Sequence, residues 1–195
     1  MRIVWDVSSL SHARTGVGNY VRGTLAGLVE AAGAEHEVVA FAPLSKRGRP
    51  LVEAALAGIP LERDLRELPF AHAWRQTWSR LKWPPVERFA GALDVFHFSD
   101  WMFPPQRGGL RATTVHDLVP LRFPEWTHRR TRRMHAAKYR NMARTCGLVV
   151  CNSRFTAGEV HELLGVPEER LRVAHPAPEP VFSPGGDVAR LDGPY

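Results

Sequence analysis

Apolar positions along the chain fall into short runs, and helical patterns separate one run from the next. Residues 3–7 read as a first strand. Residues 17–32 follow as a helix, with Val21, Leu25, Leu28 and Val29 at helical spacing and Gly33 as the stop. A second strand is expected at 36–42, halted by Pro43, then a short helix at 51–57 closed by Gly58 and Pro60, and an edge-like strand within 61–68. A helix over 71–82 is broken by Pro84-Pro85. Strands at 94–98 and 111–116, a helix over 129–144 and an unbroken apolar strand at 147–151 come next. A helix over 153–164, closed by Gly165 and Pro167, and a last strand at 170–174 complete the order. Strands with little internal alternation, separated by helices, imply a parallel sheet buried on both faces. The expected fold is therefore α/β: a doubly wound, mostly parallel sheet with helices on both sides. No internal repeat is visible. Residues 1–175 read as one domain and the Pro- and Gly-rich 176–195 as a linker.

Composition agrees with one globular domain: 195 residues, 44% hydrophobic and 24% charged, are enough for a real core. No apolar run approaches the roughly 20 residues that span a bilayer. Asp6 arrives too early for a secretory leader, so the cytoplasm is expected, with peripheral contact at the inner membrane face left open. Cys146 and Cys151, five apart on or beside one strand, read as reduced buried thiols and cannot make a zinc site alone. The formal net charge of +6 admits nucleic acid, an anionic membrane or an anionic substrate as partner.

The unusual residues gather at one place. In an open parallel sheet, ligands bind beyond the carboxyl ends of the strands. There the chain puts Ser9, Arg14 and the run Gly16-Val17-Gly18-Asn19; Ser99, Asp100 and Trp101; His116 and Asp117; and Asn152 and Ser153. Gly16 and Gly18 can let backbone N–H groups approach a phosphate at the start of a helix, or can merely form a tight turn. A dinucleotide site is disfavoured, because Val21 occupies the third glycine position of that fingerprint and Phe41-Ala42-Pro43 stands where the ribose-binding acid belongs. His116 can donate to a sugar hydroxyl or shuttle a proton, and Asp117 can orient it or cap the next segment. Ser153 reads first as a helix N-cap.

Two further stretches stay open. Phe70, Trp74, Trp78 and Leu81 follow helical spacing with Arg75, Arg80 and Lys82 among them, either as core or as a face that grips anionic lipid. His128-Arg129-Arg130-Thr131-Arg132-Arg133 puts positive charge at a helix start, against the dipole; plain solvation is the default, and a phosphate-bearing acceptor or a lipid surface are the alternatives. No nucleic-acid recognition motif accompanies the charge, so nucleic acid is not expected as a partner.

An ordered set of segments resembles the N-terminal domain of family 4 glycosyltransferases, which have the GT-B architecture. The set comprises Arg2-Ile3-Val4-Trp5-Asp6, Thr15-Gly16-Val17-Gly18-Asn19-Tyr20, Asp94-Val95-Phe96-His97 and Thr114-Val115-His116-Asp117-Leu118 with Pro120-Leu121-Arg122-Phe123-Pro124. Val149-Val150-Cys151-Asn152-Ser153-Arg154-Phe155-Thr156 and Leu164-Gly165-Val166-Pro167-Glu168-Glu169-Arg170-Leu171 extend it over nearly the whole chain. The family usually shows proline-asparagine-glycine after the last strand, where this chain has Ala174-His175-Pro176-Ala177-Pro178.

The resemblance implies two Rossmann-like domains facing across a cleft and a retaining, metal-independent transfer from a nucleotide-sugar donor to a glycan or lipid-linked acceptor. It implies that Gly16, Val17, Gly18 and Asn19 approach the donor diphosphate and that His116 contacts the donor sugar, with Asp117 beside it. The remaining rim residues (Ser9, Arg14, Ser99, Asp100, Trp101, Asn152 and Ser153) would line the acceptor side or cleft. A C-terminal donor domain is then expected after the linker, and this half is expected to be inactive alone. A stand-alone glycan- or anionic-lipid-binding module is the rival expectation.

Overall fold

The computed structural model describes residues 1–13, 15–81 and 83–178. Its sheet is built from β1 (Arg2–Asp6), β2 (Glu37–Leu44), β3 (Glu62–Glu67), β4 (Val95–Phe98), β5 (Leu110–Val115), β6 (Leu148–Cys151) and β7 (Leu171–Val173). Every pairing is parallel, in the order β3-β2-β1-β4-β5-β6-β7. The order reverses between β1 and β4, which is the switch point where a doubly wound sheet opens a crevice at its carboxyl ends. The helices are α1 (Gly16–Ala32), α2 (Arg49–Ala55), α3 (Ala71–Trp78), the short α4 (Glu87–Ala90) and α5 (Val119–Arg122), α6 (Arg129–Thr145) and α7 (Arg154–Leu164).

Alternate strand residues divide the apolar side chains between the two faces of the sheet. Val4, Val39, Phe41, Phe96, Phe98, Val115 and Val149 share one cluster with Trp78, Tyr139, Met142 and Val160, so α3, α6 and α7 cover that side. Trp5, Val7, Val38, Ala40, Ala42 and Leu44 share the other with Val21, Leu25, Val52 and Leu56, so α1 and α2 cover the opposite side. This double covering is why the inner strands read as unbroken apolar runs.

Three expectations shift. Pro43 does not halt β2, which continues to Leu44. β1 stops pairing at Asp6↔Phe41, so the missing N–H of Pro43 falls where only β3 flanks the strand. The helix expected over 71–82 ends at Trp78, with turn bonds reaching Leu81; the hydroxyl of Ser79 bonds back to Arg75 O at 2.8 Å and accepts from Phe103 N at 2.9 Å. Its tryptophan stripe is core: Trp78 is buried and packs in tilted or edge-on contact with Trp74 and Phe89, while Phe70 and Leu81 at its ends are exposed. The short helix starts two residues early, at Arg49, with Pro50 in its first turn. Both cysteines are free and buried, and burial pushes each thiol up to about 11. No helix among the described residues is long and apolar enough to cross a membrane.

Phe96 sits fully buried at the centre of β4, against the edge of Phe41 at 6.5 Å between ring centroids. Phe96→Ala is expected to destabilise the domain by about 3–5 kcal/mol. Urea unfolding measures this, with the exposed Phe155→Ala as a control that moves the midpoint little.

Candidate functional site

Asp6 ends β1 with its carboxylate fully buried. Burial raises its pKa, against the pull of the hydrogen bonds it accepts and of Arg75 nearby. It accepts from Ser8 N at 2.9 Å, from Ser8 Oγ at 3.0 Å, from Ser99 N at 3.3 Å and from the Ser99 hydroxyl. One carboxylate thus ties the loop after β1 to the loop after β4. Arg75 of α3 donates to Ser8 O at 3.2 Å and holds the same loop from beneath.

A second buried charge lies one loop further on. Lys138 of α6 is 1% exposed and forms an ion pair with Asp100. It also donates to Thr114 O of β5 at 2.7 Å. Burial works to raise the pKa of Asp100, but the Lys138 ammonium beside it holds the carboxyl below its ordinary range. Below this pair, His97 stacks on Trp5 at 3.5 Å and shares a 3.0 Å hydrogen bond with the Thr114 hydroxyl. Burial, helped by the Lys138 charge, pushes His97 down to about 3, so it is neutral at physiological pH.

These supports shape a cavity of about 440 Å³ at the carboxyl ends of the strands. Its walls bring together Ser9, Val17, Asp100, Trp101, His116 and Asp117 from four separate segments. The His116 ring meets the edge of Tyr20, one turn into α1, at 4.7 Å. Burial lowers the His116 pKa, as it does that of His135 across the cavity, so neutral imidazole is the resting form of both. Asp117 accepts from Val119 N at 3.0 Å and thereby starts α5.

Other expected residues sit beside the cavity rather than in its wall. Gly18 and Asn19 face an adjoining hollow of about 460 Å³ together with Arg22 and Leu51. Thr15 N-caps α1 by accepting from Gly18 N at 3.1 Å, which commits that N–H. Gly16 opens α1 with nothing within 4 Å of where a Cβ would stand. Ser99 is bound into the Asp6 network and borders only a small recess under Trp101. Ser153 N-caps α7, accepting from Thr156 N at 3.0 Å, while Asn152 accepts from the Thr156 hydroxyl at 2.9 Å. Arg14 lies outside the described residues, as does the linker beyond residue 178.

The opposite wall was not foreseen. It comes from α6: Thr131, Met134, His135 and Lys138 recur at three- and four-residue spacing and present one mixed face to the cavity. His12 joins them, its ring stacked 4.9 Å from that of Trp101. The signal available in the sequence was this second stripe on α6, beside the apolar one of Ala136, Tyr139 and Ala143. The first turn of α6 is capped by His128, which accepts from Arg130 N at 3.3 Å, and its arginines are largely solvated. Among the described residues no group of three or more His, Cys, Asp or Glu is placed to hold a metal ion.

The family model for Glycosyltransferase Family 4 matches residues 14–178. The chain belongs to glycosyltransferase family 4. Among solved structures, this family 4 chain is similar to Anabaena HepE crystallised with UDP and glucose, at 14% identity and a TM-score of 0.51. That match covers 90% of this chain and 44% of HepE. A second HepE structure, with UDP, matches at 14% identity, TM-score 0.44, over 90% and 43% of the two chains. The chain thus spans under half the length of HepE, and the likeness is one of fold. No curated protein matches significantly.

Removing one member of a buried ion pair strands the other charge. Lys138→Met is expected to cost about 3–5 kcal/mol in urea unfolding, and Asp100→Asn combined with Lys138→Met to recover most of that loss. His97 adds a pH dependence. Its folded pKa, about 3, lies below the ordinary 6.5, so the unfolded chain takes up the proton first. Its contribution is complete above pH 6.5 and drains away as pH falls toward 3. Unfolding midpoints measured across that window should fall with acid, and His97→Gln should flatten the slope.

Proposed function

We propose that the chain is the acceptor-side domain of a retaining glycosyltransferase, moving a sugar from a nucleotide-sugar donor to a glycan or lipid-linked acceptor. It works opposite a nucleotide-binding domain, without a resident metal, in the cytoplasm or at the inner membrane face. The observation that carries this reading is the convergence of His116, Asp117, Val17, Asp100 and Trp101 on one cavity at the switch point of the sheet. With Gly18 N–H engaged by Thr15, the first-turn N–H groups of Gly16 and Val17 are left to meet the donor diphosphate, and the open space at Gly16 admits it.

In the transfer, the bond from the anomeric carbon to the diphosphate oxygen breaks and an acceptor oxygen takes its place on the same face. The acceptor proton passes to the departing diphosphate. Neutral His116 can hold a sugar hydroxyl by donating or accepting, without adding a charge that must be desolvated. Rate then comes from positioning the two reactants and from stabilising the leaving group. HepE was crystallised with UDP and glucose, which makes a uridine diphosphate sugar the first donor to test.

A lipid-linked acceptor is supported by a second hollow of about 450 Å³ that shares Asp117 with the cavity and is bordered by Phe123 and the exposed Phe155. A stand-alone lipid-binding module is less well supported, because Trp78 of the tryptophan stripe is committed to the core.

The chain, joined to or mixed with a nucleotide-binding half, should release nucleoside diphosphate in the presence of acceptor. His116→Ala should lower kcat by about 100-fold or more while leaving donor affinity largely intact. Turnover at the unsubstituted rate in that variant would overturn the assignment.

A further inference from the structure

At the amino ends of the strands, away from the rim, the molecule carries a different cavity of about 440 Å³. Arg80, Gln106, Arg107, Arg111, Asn141 and Thr145 contribute its polar lining. Arg111, the second residue of β5, is 8% exposed. Among the described residues it has no ion-pair partner. One guanidinium nitrogen donates to Asn141 Oδ1 at 3.2 Å, and the buried Nε has no partner. Further compensation comes from the face of Phe98, 4.7 Å from the guanidinium carbon, and from the charge of Glu87 nearby. Glu87 is the nearby acid; its Oε1 accepts from Arg107 N at 2.7 Å and Gly108 N at 2.9 Å, while its buried Oε2 makes no hydrogen bond to Arg111 or to any other group.

A buried cation normally finds a hydrogen-bonded counter-charge, since taking it out of water costs several kcal/mol. Arg111 lacks one, yet it lines a cavity large enough for a small molecule and shares it with two exposed arginines. Three guanidinium groups against one carboxylate leave the pocket with net positive charge. Guanidinium forks are matched to tetrahedral and planar oxyanions, and neutral amide and hydroxyl neighbours suit the rest of such a ligand.

We propose that this cavity is a binding site for a phosphate-bearing small molecule, with Arg111 as its anchor. It is separate from the sugar-transfer rim, because His116 follows Arg111 by five residues along one extended strand, roughly 16 Å away. The two sites share α6, which supplies Lys138 to one and Asn141 to the other.

Isothermal titration of the chain at fixed ionic strength tests this, with inorganic phosphate, glucose 6-phosphate and chloride as probes. Saturable binding of either phosphate probe and none of chloride is expected; the stronger of the two shows whether free phosphate or a phosphomonoester is the better ligand. Arg111→Met should weaken that binding at least tenfold. The exposed pair Arg80→Gln and Arg107→Gln, which leaves the core untouched, should weaken it about threefold to tenfold and decides the matter if Arg111→Met fails to fold. No saturable binding of either phosphate probe, or unchanged affinity in the double variant, would overturn the proposal. Loss of binding in His116→Ala would place the ligand at the rim and overturn it equally.

Discussion

The Lys138 ammonium, buried against Asp100 and the carbonyl of Thr114, is the constraint on which the rim depends. It joins three elements that are distant in sequence: the loop after β4, the carboxyl end of β5 and the centre of α6. Two charges removed from water gain little net stability from each other, because desolvation offsets most of their attraction. What such a pair does supply is geometry. The ammonium has three donor directions, and two of them are spent on fixed acceptors, so α6 has one register relative to the sheet. His135 and Met134 then face His116 and Trp101 across the cavity as a consequence. The electrostatic effect follows the same path. Burial lowers the pKa of His97, His116 and His135; at His97 the Lys138 charge adds to that effect, while at His116 and His135 Asp100 works against it.

The sheet and its cavity-bearing end could be read from the sequence because both rest on local patterns. A strand covered on both faces must be apolar throughout, so 147–151 announces itself, and Ser153 three residues before Thr156 announces the helix it caps. The carboxyl-end rule then selects Ser9, Asp100, Trp101, His116 and Asp117 without any tertiary knowledge. Lys138 could not be found that way. On a helix dense with arginine and lysine it looks like one more solvated cation, and its burial depends on Asp100, thirty-eight positions earlier. The glycine run was legible as a helix start but not in its division of labour. Only the position of the Thr15 side chain shows that Gly18 is committed inward while Gly16 stays open. Pro43 misled for a related reason: whether a proline ends a strand depends on which neighbours still pair beside it.

Family membership and fold likeness account for different parts of this picture. The fold is similar to that of HepE at an identity too low to carry individual contacts across. The Asp6 network, the Lys138 pair and the α6 wall are therefore arguments from this chain's own chemistry. They agree with one another in a physical sense. The first two are buried polar groups with their partners largely supplied, and all three lie within or beside a loop or helix that borders the same opening.

The two borders of the sheet carry a consequence for assembly. β3 exposes Glu62, Arg63, Arg66 and Glu67 along one margin, and β7 offers only three residues on the other. Charged or very short margins resist recruitment of a foreign strand. Growth of the sheet by lateral annealing with a neighbouring molecule is thereby discouraged on both flanks, which leaves the loop-bearing ends and helical faces, rather than backbone ladders, as the surfaces open to contact.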